Sequence, residues 1–192
     1  MSSKSGQPVV ILRDNVERVP GQEALRSNIM AAKVLGNTVR TTLGPRGMDK
    51  MLVTQGSDDI VITNDGATIL HQIHVQHPGA KLVVEVAETQ DDECGDGTTT
   101  AVVMVGSFME QAENLIDAGV HPSVIAKGYN LGMMKALELL DSLAISVTPK
   151  ETAMLMQIAK TAMTGKSIEM IMDKACDVVV DAVSNVAVTT GK

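Results

Sequence analysis

Aromatic residues are almost absent from this chain: across 192 residues there is no Trp, one Phe (Phe108) and one Tyr (Tyr129). An aromatic core is therefore excluded. Hydrophobic residues still make up 44% of the sequence, 13 of them Met, an ordinary share for a globular protein. The core must be aliphatic, and thin aliphatic side chains let helices approach closely, which favours a mainly helical fold. The Met-rich segments are read as part of that core. Cysteine is scarce too. Cys94 and Cys176 lie far apart and form no CxxC or Cys/His ligand spacing, which excludes a disulfide framework and leaves a single bridge open. Positive charge is also short. A net charge of −7 argues against nucleic acid as a partner, because phosphate contacts need clustered Lys and Arg. No apolar run approaches the ~20 residues of a membrane span, and the opening Met1-Ser2-Ser3-Lys4-Ser5 lacks the apolar centre of a signal peptide. A cytoplasmic chain with no membrane partner is expected. The length suits one compact domain, or one with a small extension.

Residues 1–8 read as disordered, and Val9-Val10-Ile11-Leu12 as a short edge strand. Leu25, Ile29, Ala32, Leu35 and Val39 recur at helical spacing, which predicts a helix from about Gln22 to the Gly44-Pro45-Arg46-Gly47 break. Met51–Val53 and Ile60–Thr63 read as a hairpin turned by residues 55–58. A short helix from Ala67 ends before His77-Pro78. Further helices are expected over Ala80–Thr89, Thr98–Ala118 and Pro122–Leu143. Thr148-Pro149-Lys150-Glu151 has the pattern of a capping box, with Thr as N-cap, Pro first and Glu third. It predicts a helix from Pro149 to about Ala162, and a last helix is expected over Ile168–Val183. The change of character at 145–149 reads as a domain boundary.

Gly95-Asp96-Gly97-Thr98-Thr99-Thr100 carries the chemistry. Two glycines beside a helix start leave backbone N–H groups uncovered, where the helix dipole is positive and an anion is favoured. The threonines add hydroxyl donors. An aspartate among them repels phosphate unless a cation stands between, and Mg²⁺ takes one or two carboxylates together with phosphate oxygens. Asp96 is then the metal ligand. A glycine turn with a threonine N-cap explains the same residues, and the segment alone leaves both readings open. A calcium loop starting at Asp92 fails, since Cys94 and Val103 would occupy ligand positions. Asn64-Asp65-Gly66-Ala67-Thr68 repeats the order acid, glycine, threonine, and the Gly44 loop adds a cation at a helix end. Thr164-Gly165-Lys166-Ser167 is no P-loop, because position 160 is Lys rather than Gly. Lys166 is either a point charge for phosphate or a solvated lysine. His71 and His74 have helical spacing without a third ligand, which does not make a zinc site.

The segments Thr42–Leu52, Ile62–Leu70 and Gly95–Ala101 resemble the signature sequences of group II chaperonins, the family of the archaeal thermosome and the eukaryotic cytosolic chaperonin. His77–Lys81 and Ala159–Lys166 are similar to further family segments, so the resemblance runs from about residue 9 to 190. It implies a mainly α fold: a multihelical half of an equatorial domain with a small β-hairpin (1–148), then the start of an α/β intermediate domain (149–192). It implies a double-ring chaperone that uses ATP to fold other proteins. Its partners are other chaperonin subunits and unfolded clients held by an apical domain. Carried over by position, Leu43, Gly44, Pro45, Gly97, Thr98, Thr99 and Thr100 bind the phosphates of ATP or ADP. Asp96 holds Mg²⁺, Asp65 is catalytic beside the γ-phosphate, and Thr164 and Lys166 sense that phosphate.

The resemblance also implies that a full subunit is far longer. The chain stops near where the apical domain would begin, short of a second catalytic aspartate and of the C-terminal equatorial half. Weak Mg-ATP binding, little turnover and exposed apolar helix faces are therefore expected. A non-hydrolysing module that joins chaperonin rings through the Val9–Leu12 strand or the hairpin is the alternative. An unrelated helical phosphate binder is a third reading.

Overall fold

The computed structural model describes residues 19–53, 56 and 59–187. The expected disorder of residues 1–8, the Val9–Leu12 strand and most of the hairpin turn lie outside these residues. Seven α-helices and one two-stranded sheet form the described part, the mainly helical fold with a small hairpin that the sequence predicts.

Helix α1 (Gly21–Arg40) buries Ile29, Ala32, Leu35 and Val39, the predicted stripe, while Leu25 at its outer end is half-buried. Strands β1 (Lys50–Val53) and β2 (Ile60–Thr63) pair antiparallel, with Met51 opposite Ile62 and Val53 opposite Ile60. Helix α2 (Gly66–Gln72) follows at once. Helix α3 spans Pro78–Cys94. It begins two residues earlier than expected, because His77 is its N-cap, with Nδ1 accepting the Gly79 N–H at 3.1 Å. It also runs five residues past Thr89. Asp91, Asp92 and Glu93 are exposed on its last turn, where water screens their clash with the helix dipole. Only Gly95, left-handed at φ 67°, stops it.

Helices α4 (Thr98–Asp117) and α5 (Pro122–Leu143) stand as predicted. Helices α1, α2, α3 and α4 share one aliphatic core containing Val39, Ile69, Leu70, Val83, Ala87 and Val102. Helices α1 and α4 cross at Gly36 and Gly106. A Cβ on Gly36 would stand 2.9 Å from the Gly106 Cα and one on Gly106 3.0 Å from the Gly36 Cα, so a side chain at either position pushes the helices apart. The two aromatics stay outside this core. Their ring centroids lie 5.4 Å apart, and the Tyr129 hydroxyl donates to the Phe108 carbonyl at 2.6 Å. Methionine departs from expectation. None belongs to the buried core among the described residues, and Met30, Met48, Met51, Met104, Met133, Met134 and Met170 are exposed. Ala, Val, Ile and Leu fill the buried centre, and Met109 packs half-buried at its edge.

The capping box also departs from expectation. Glu151 Oε1 does accept from the Thr148 N–H at 3.3 Å and the Thr148 hydroxyl at 2.8 Å. Those bonds close a turn rather than a helix start. The Glu151 N–H donates to the Thr148 carbonyl three residues back, and Glu151 leaves the helical region at ψ 69°. Helix α6 therefore begins at Thr152 and runs to Met163. Residues 168–171, expected as α-helix, belong to a 3₁₀ turn over Ser167–Ile171, and helix α7 is Met172–Val186. Helices α6 and α7 pack on each other around buried Cys176, whose Sγ lies 3.6 Å from Met163 Sδ. Lys160 and Asp173 bridge them at 2.6 Å. That hydrogen bond holds the Asp173 carboxyl below its usual pKa and the Lys160 ammonium above its own. Both cysteines are free thiols. No helix among the described residues is long and apolar enough to cross a membrane.

Candidate functional site

Four chain segments meet at one cleft of about 350 Å³. The first is the loop after α1. Thr42 is buried there, and its hydroxyl donates to the Val39 carbonyl at 2.7 Å. Gly44 takes φ 85°, and the Gly47 N–H returns to the Gly44 carbonyl at 2.8 Å. Pro45 occupies the second position of this four-residue turn, where its fixed φ is favoured. Leu43, Gly44 and Pro45 line the cleft.

The second segment enters from β2. Asp65 is the N-cap of α2, and its Oδ2 accepts from the Thr68 N–H at 2.9 Å and the Thr68 hydroxyl at 2.8 Å. Its Oδ1 lies 3.4 Å from the Thr98 hydroxyl. Gly66 lets α2 start against the start of α4, since a Cβ there would come 2.6 Å from Thr99 Oγ1 and 2.8 Å from Thr99 N. No alanine fits between the two helix starts, so Asp65 and the threonines are locked side by side.

The third segment is Gly95–Thr100. Gly97, at φ 80°, precedes α4 and supplies no side-chain cap. The N–H groups of the first turn therefore lack intrahelical acceptors, and their partial positive charge faces the cleft. The Asp96 carbonyl accepts from Gln90 Nε2 at 2.8 Å, which steadies the loop. Its carboxylate remains half exposed, with Lys166 Nζ 3.8 Å from Oδ1. The fourth segment closes the far side. Thr164 ends α6, its hydroxyl donating to the Lys160 carbonyl at 2.8 Å, and Gly165, at φ 77°, turns the chain. The Gly165 carbonyl accepts from Asn64 Nδ2 at 2.7 Å.

All eleven predicted site residues line this one cleft: Asp65, Asp96, Lys166, Thr164, the Leu43–Pro45 stretch and the Gly97–Thr100 stretch. Five lining residues are additional: Thr42, Asn64, Thr161, Ala162 and Gly165. Thr42, Asn64 and Gly165 sit inside the sequence segments that drew attention, so position beside a glycine turn was the signal that could have found them. Thr161 and Ala162 stand beside no glycine turn and are marked only by the family-like Ala159–Lys166 segment. They reach the cleft only because α6 ends there.

The donor set fits a magnesium-bound polyphosphate. Uncapped N–H groups, glycine turns and clustered hydroxyls can receive phosphate oxygens. Two carboxylates against one ammonium leave the cleft negative, so an anion needs a cation with it. Asp96 is the carboxylate free to provide for that cation, because Oδ2 of Asp65 is committed to Thr68. A hard divalent cation with an oxygen donor and substrate oxygens is the matching chemistry.

The chain is similar to known proteins along its whole length. The model of the TCP-1/cpn60 chaperonin family matches residues 35–192. A thermosome subunit beta of Archaeoglobus fulgidus is 52% identical over 187 residues, covering 97% of this chain and 34% of the relative. A thermosome subunit of Pyrococcus horikoshii is also 52% identical over 187 residues, with the same shares, 97% and 34%. A thermosome subunit beta of Thermococcus sp. strain KS-8 is 52% identical over 191 residues, covering 100% of this chain and 35% of the relative. The chain thus spans about a third of the length of these relatives. With the family's model covering the cleft and half the residues shared along the whole length, the chain belongs to the TCP-1/cpn60 chaperonin family.

Proposed function

We propose that this chain carries a nucleotide site of an ATP-dependent chaperonin subunit, which assists the folding of other proteins through Mg-ATP binding and hydrolysis. The observation that carries the reading is the convergence of four separate segments, each with a glycine turn or a capped helix start, on one cleft. In this reading the N–H and hydroxyl groups of Thr98, Thr99 and Thr100, with the turns at Gly44 and Gly97, hold the phosphates. Asp96 holds Mg²⁺, which supplies charge neutralisation at the phosphates when bound. Asp65 is the catalytic carboxylate that orients water, and Thr164 and Lys166 read the terminal phosphate. Residues 1–148 form half of the equatorial domain, and residues 149–192 open the intermediate domain.

The partners are other chaperonin subunits in a cytoplasmic double ring, with unfolded clients engaged by sequence outside these 192 residues. Apolar surface supports the subunit partner. Met51, Val53, Ile60 and Ile62 are exposed and face one another across the hairpin register, and exposed leucines run along the second half of α5. The same hairpin face keeps the ring-joining module as a second reading, in which the site binds nucleotide without turnover.

These 192 residues are expected to retain Mg-ATP while releasing phosphate slowly, since general-base positioning rests on Asp65 alone here. Nucleotide retention and phosphate release measured together test this. Steady release at the rate of a complete thermosome subunit, lost on Asp65→Ala, would contradict the slow-turnover reading. Failure to retain nucleotide would contradict the assigned function.

A further inference from the structure

Helices α6 and α7 make their main contacts with each other and share no extensive helix–helix interface with α1–α5. The Thr164–Lys166 loop is where they meet the rest of the cleft. One side-chain hydrogen bond ties that loop across, from Asn64 Nδ2 to the Gly165 carbonyl at 2.7 Å, in a half-buried setting. A carbonyl only accepts, so the amide nitrogen must face it. Gly165 also packs against the Gly44 turn, where a Cβ on Gly165 would lie 3.6 Å from the Gly44 carbonyl oxygen. The neighbouring Lys166 then brings Nζ to 3.8 Å from Asp96 Oδ1. Two bonds stiffen the loop from its own side. The Gly165 N–H donates to Glu169 Oε2 at 3.0 Å, and the Lys166 N–H donates to the Met163 carbonyl at 3.2 Å.

We infer that Asn64 is a positioning residue: it latches the α6–α7 hairpin to the body at Gly165 and thereby sets where Lys166 stands in the cleft. Its amide nitrogen is committed to the Gly165 carbonyl, so it acts through the loop it holds. Asn64 directly precedes Asp65, so the latch fixes Lys166 relative to the α2 start that carries the cleft's first carboxylate. The role in reading ATP rests on the function proposed above; the latch itself does not.

The test uses Asn64→Ala and Asn64→Asp, both of which lack the amide donor; the second keeps the side-chain shape. Amide hydrogen exchange is followed in the nucleotide-free chain. Both variants are expected to speed exchange over residues 161–169 by about fivefold, the effect of losing one ordinary hydrogen bond. The amides of α1, α3 and α4 should keep their rates. Calorimetric titration with Mg-ATP and Mg-ADP adds a readout that general destabilisation does not move. For Asn64→Ala, ATP affinity should fall several-fold and ADP affinity by clearly less, because Lys166 reads the terminal phosphate in the proposed function; Asn64→Asp, which adds a carboxylate to the cleft, serves the exchange readout alone. Unchanged exchange at the loop, or equal acceleration throughout all helices, overturns the latch. Equal loss of ATP and ADP affinity overturns its link to Lys166. A parent chain that binds neither nucleotide removes the function proposed for the cleft, and the exchange rates still decide the latch.

Discussion

Asp65 divides its work between two oxygens. Oδ2 caps α2 through the Thr68 N–H and hydroxyl, and Oδ1 accepts from the Thr98 hydroxyl beside it. Capping needs only an acceptor oxygen, whereas chemistry on a polyphosphate needs the charge. The two roles are therefore separable. Asp65→Ala should lower unfolding stability by ~1 kcal/mol, the usual loss of an N-cap, and Asp65→Asn should leave it nearly unchanged, because Asn caps as well as Asp. Urea unfolding of the two variants checks this. Equal destabilisation by both would show that the charge, not the cap, holds α2. Asp65 was legible in the sequence because acid, glycine and threonine in that order mark a helix start. The sequence marks Asn64 only as part of that turn. Its partner, Gly165, is 101 positions away, and a side-chain bond to a distant carbonyl leaves no periodicity to read.

Helices α1 and α4 hold the cleft's two ends at a fixed spacing. The first leads into the Gly44 turn and the second begins at Thr98, and they cross where Gly36 and Gly106 touch. A Cβ on Gly106 would sit 3.0 Å from the Gly36 Cα. Gly106→Ala gains up to ~1 kcal/mol in helix propensity, yet overpacking a tight core costs about 1–3 kcal/mol. Lower stability is the expected net result, together with weaker nucleotide retention as the helices part. Denaturant unfolding alongside nucleotide titration measures both, and a stabilised variant with unchanged affinity would contradict the close crossing. The sequence predicted α1, α4 and α5 well, because apolar spacing, glycine and proline mark them directly. It failed at α3, where exposed acids on the last turn looked like an ending. It failed again at α6, where the Thr148 and Glu151 side chains bond as in a capping box while the backbone at Glu151 turns away from the helix. Side-chain signals set the local bonds, and backbone dihedrals decide where a helix begins.

For the molecule as a whole, the site is assembled by tertiary packing rather than by any one segment. The Gly95–Thr100 run alone is equally a glycine turn. Its meaning comes from Asp65 beside it, the Gly44 turn opposite and Lys166 across the cleft. The expected exposure of apolar helix faces is present in the second half of α5, where Leu137, Leu140 and Leu143 are each more than half exposed. The described methionines lie outside the buried core, seven of them exposed while Met109 packs at the core's edge and Met163 against Cys176, because composition alone does not say which aliphatics pack. Calorimetric titration with ADP, in the presence and absence of Mg²⁺, on the parent chain and on Asp96→Ala, bears most directly on this site. Binding that requires Mg²⁺ in the parent and is lost in Asp96→Ala is the predicted result. Binding indifferent to Mg²⁺ and to Asp96, or no binding by the parent, would contradict it.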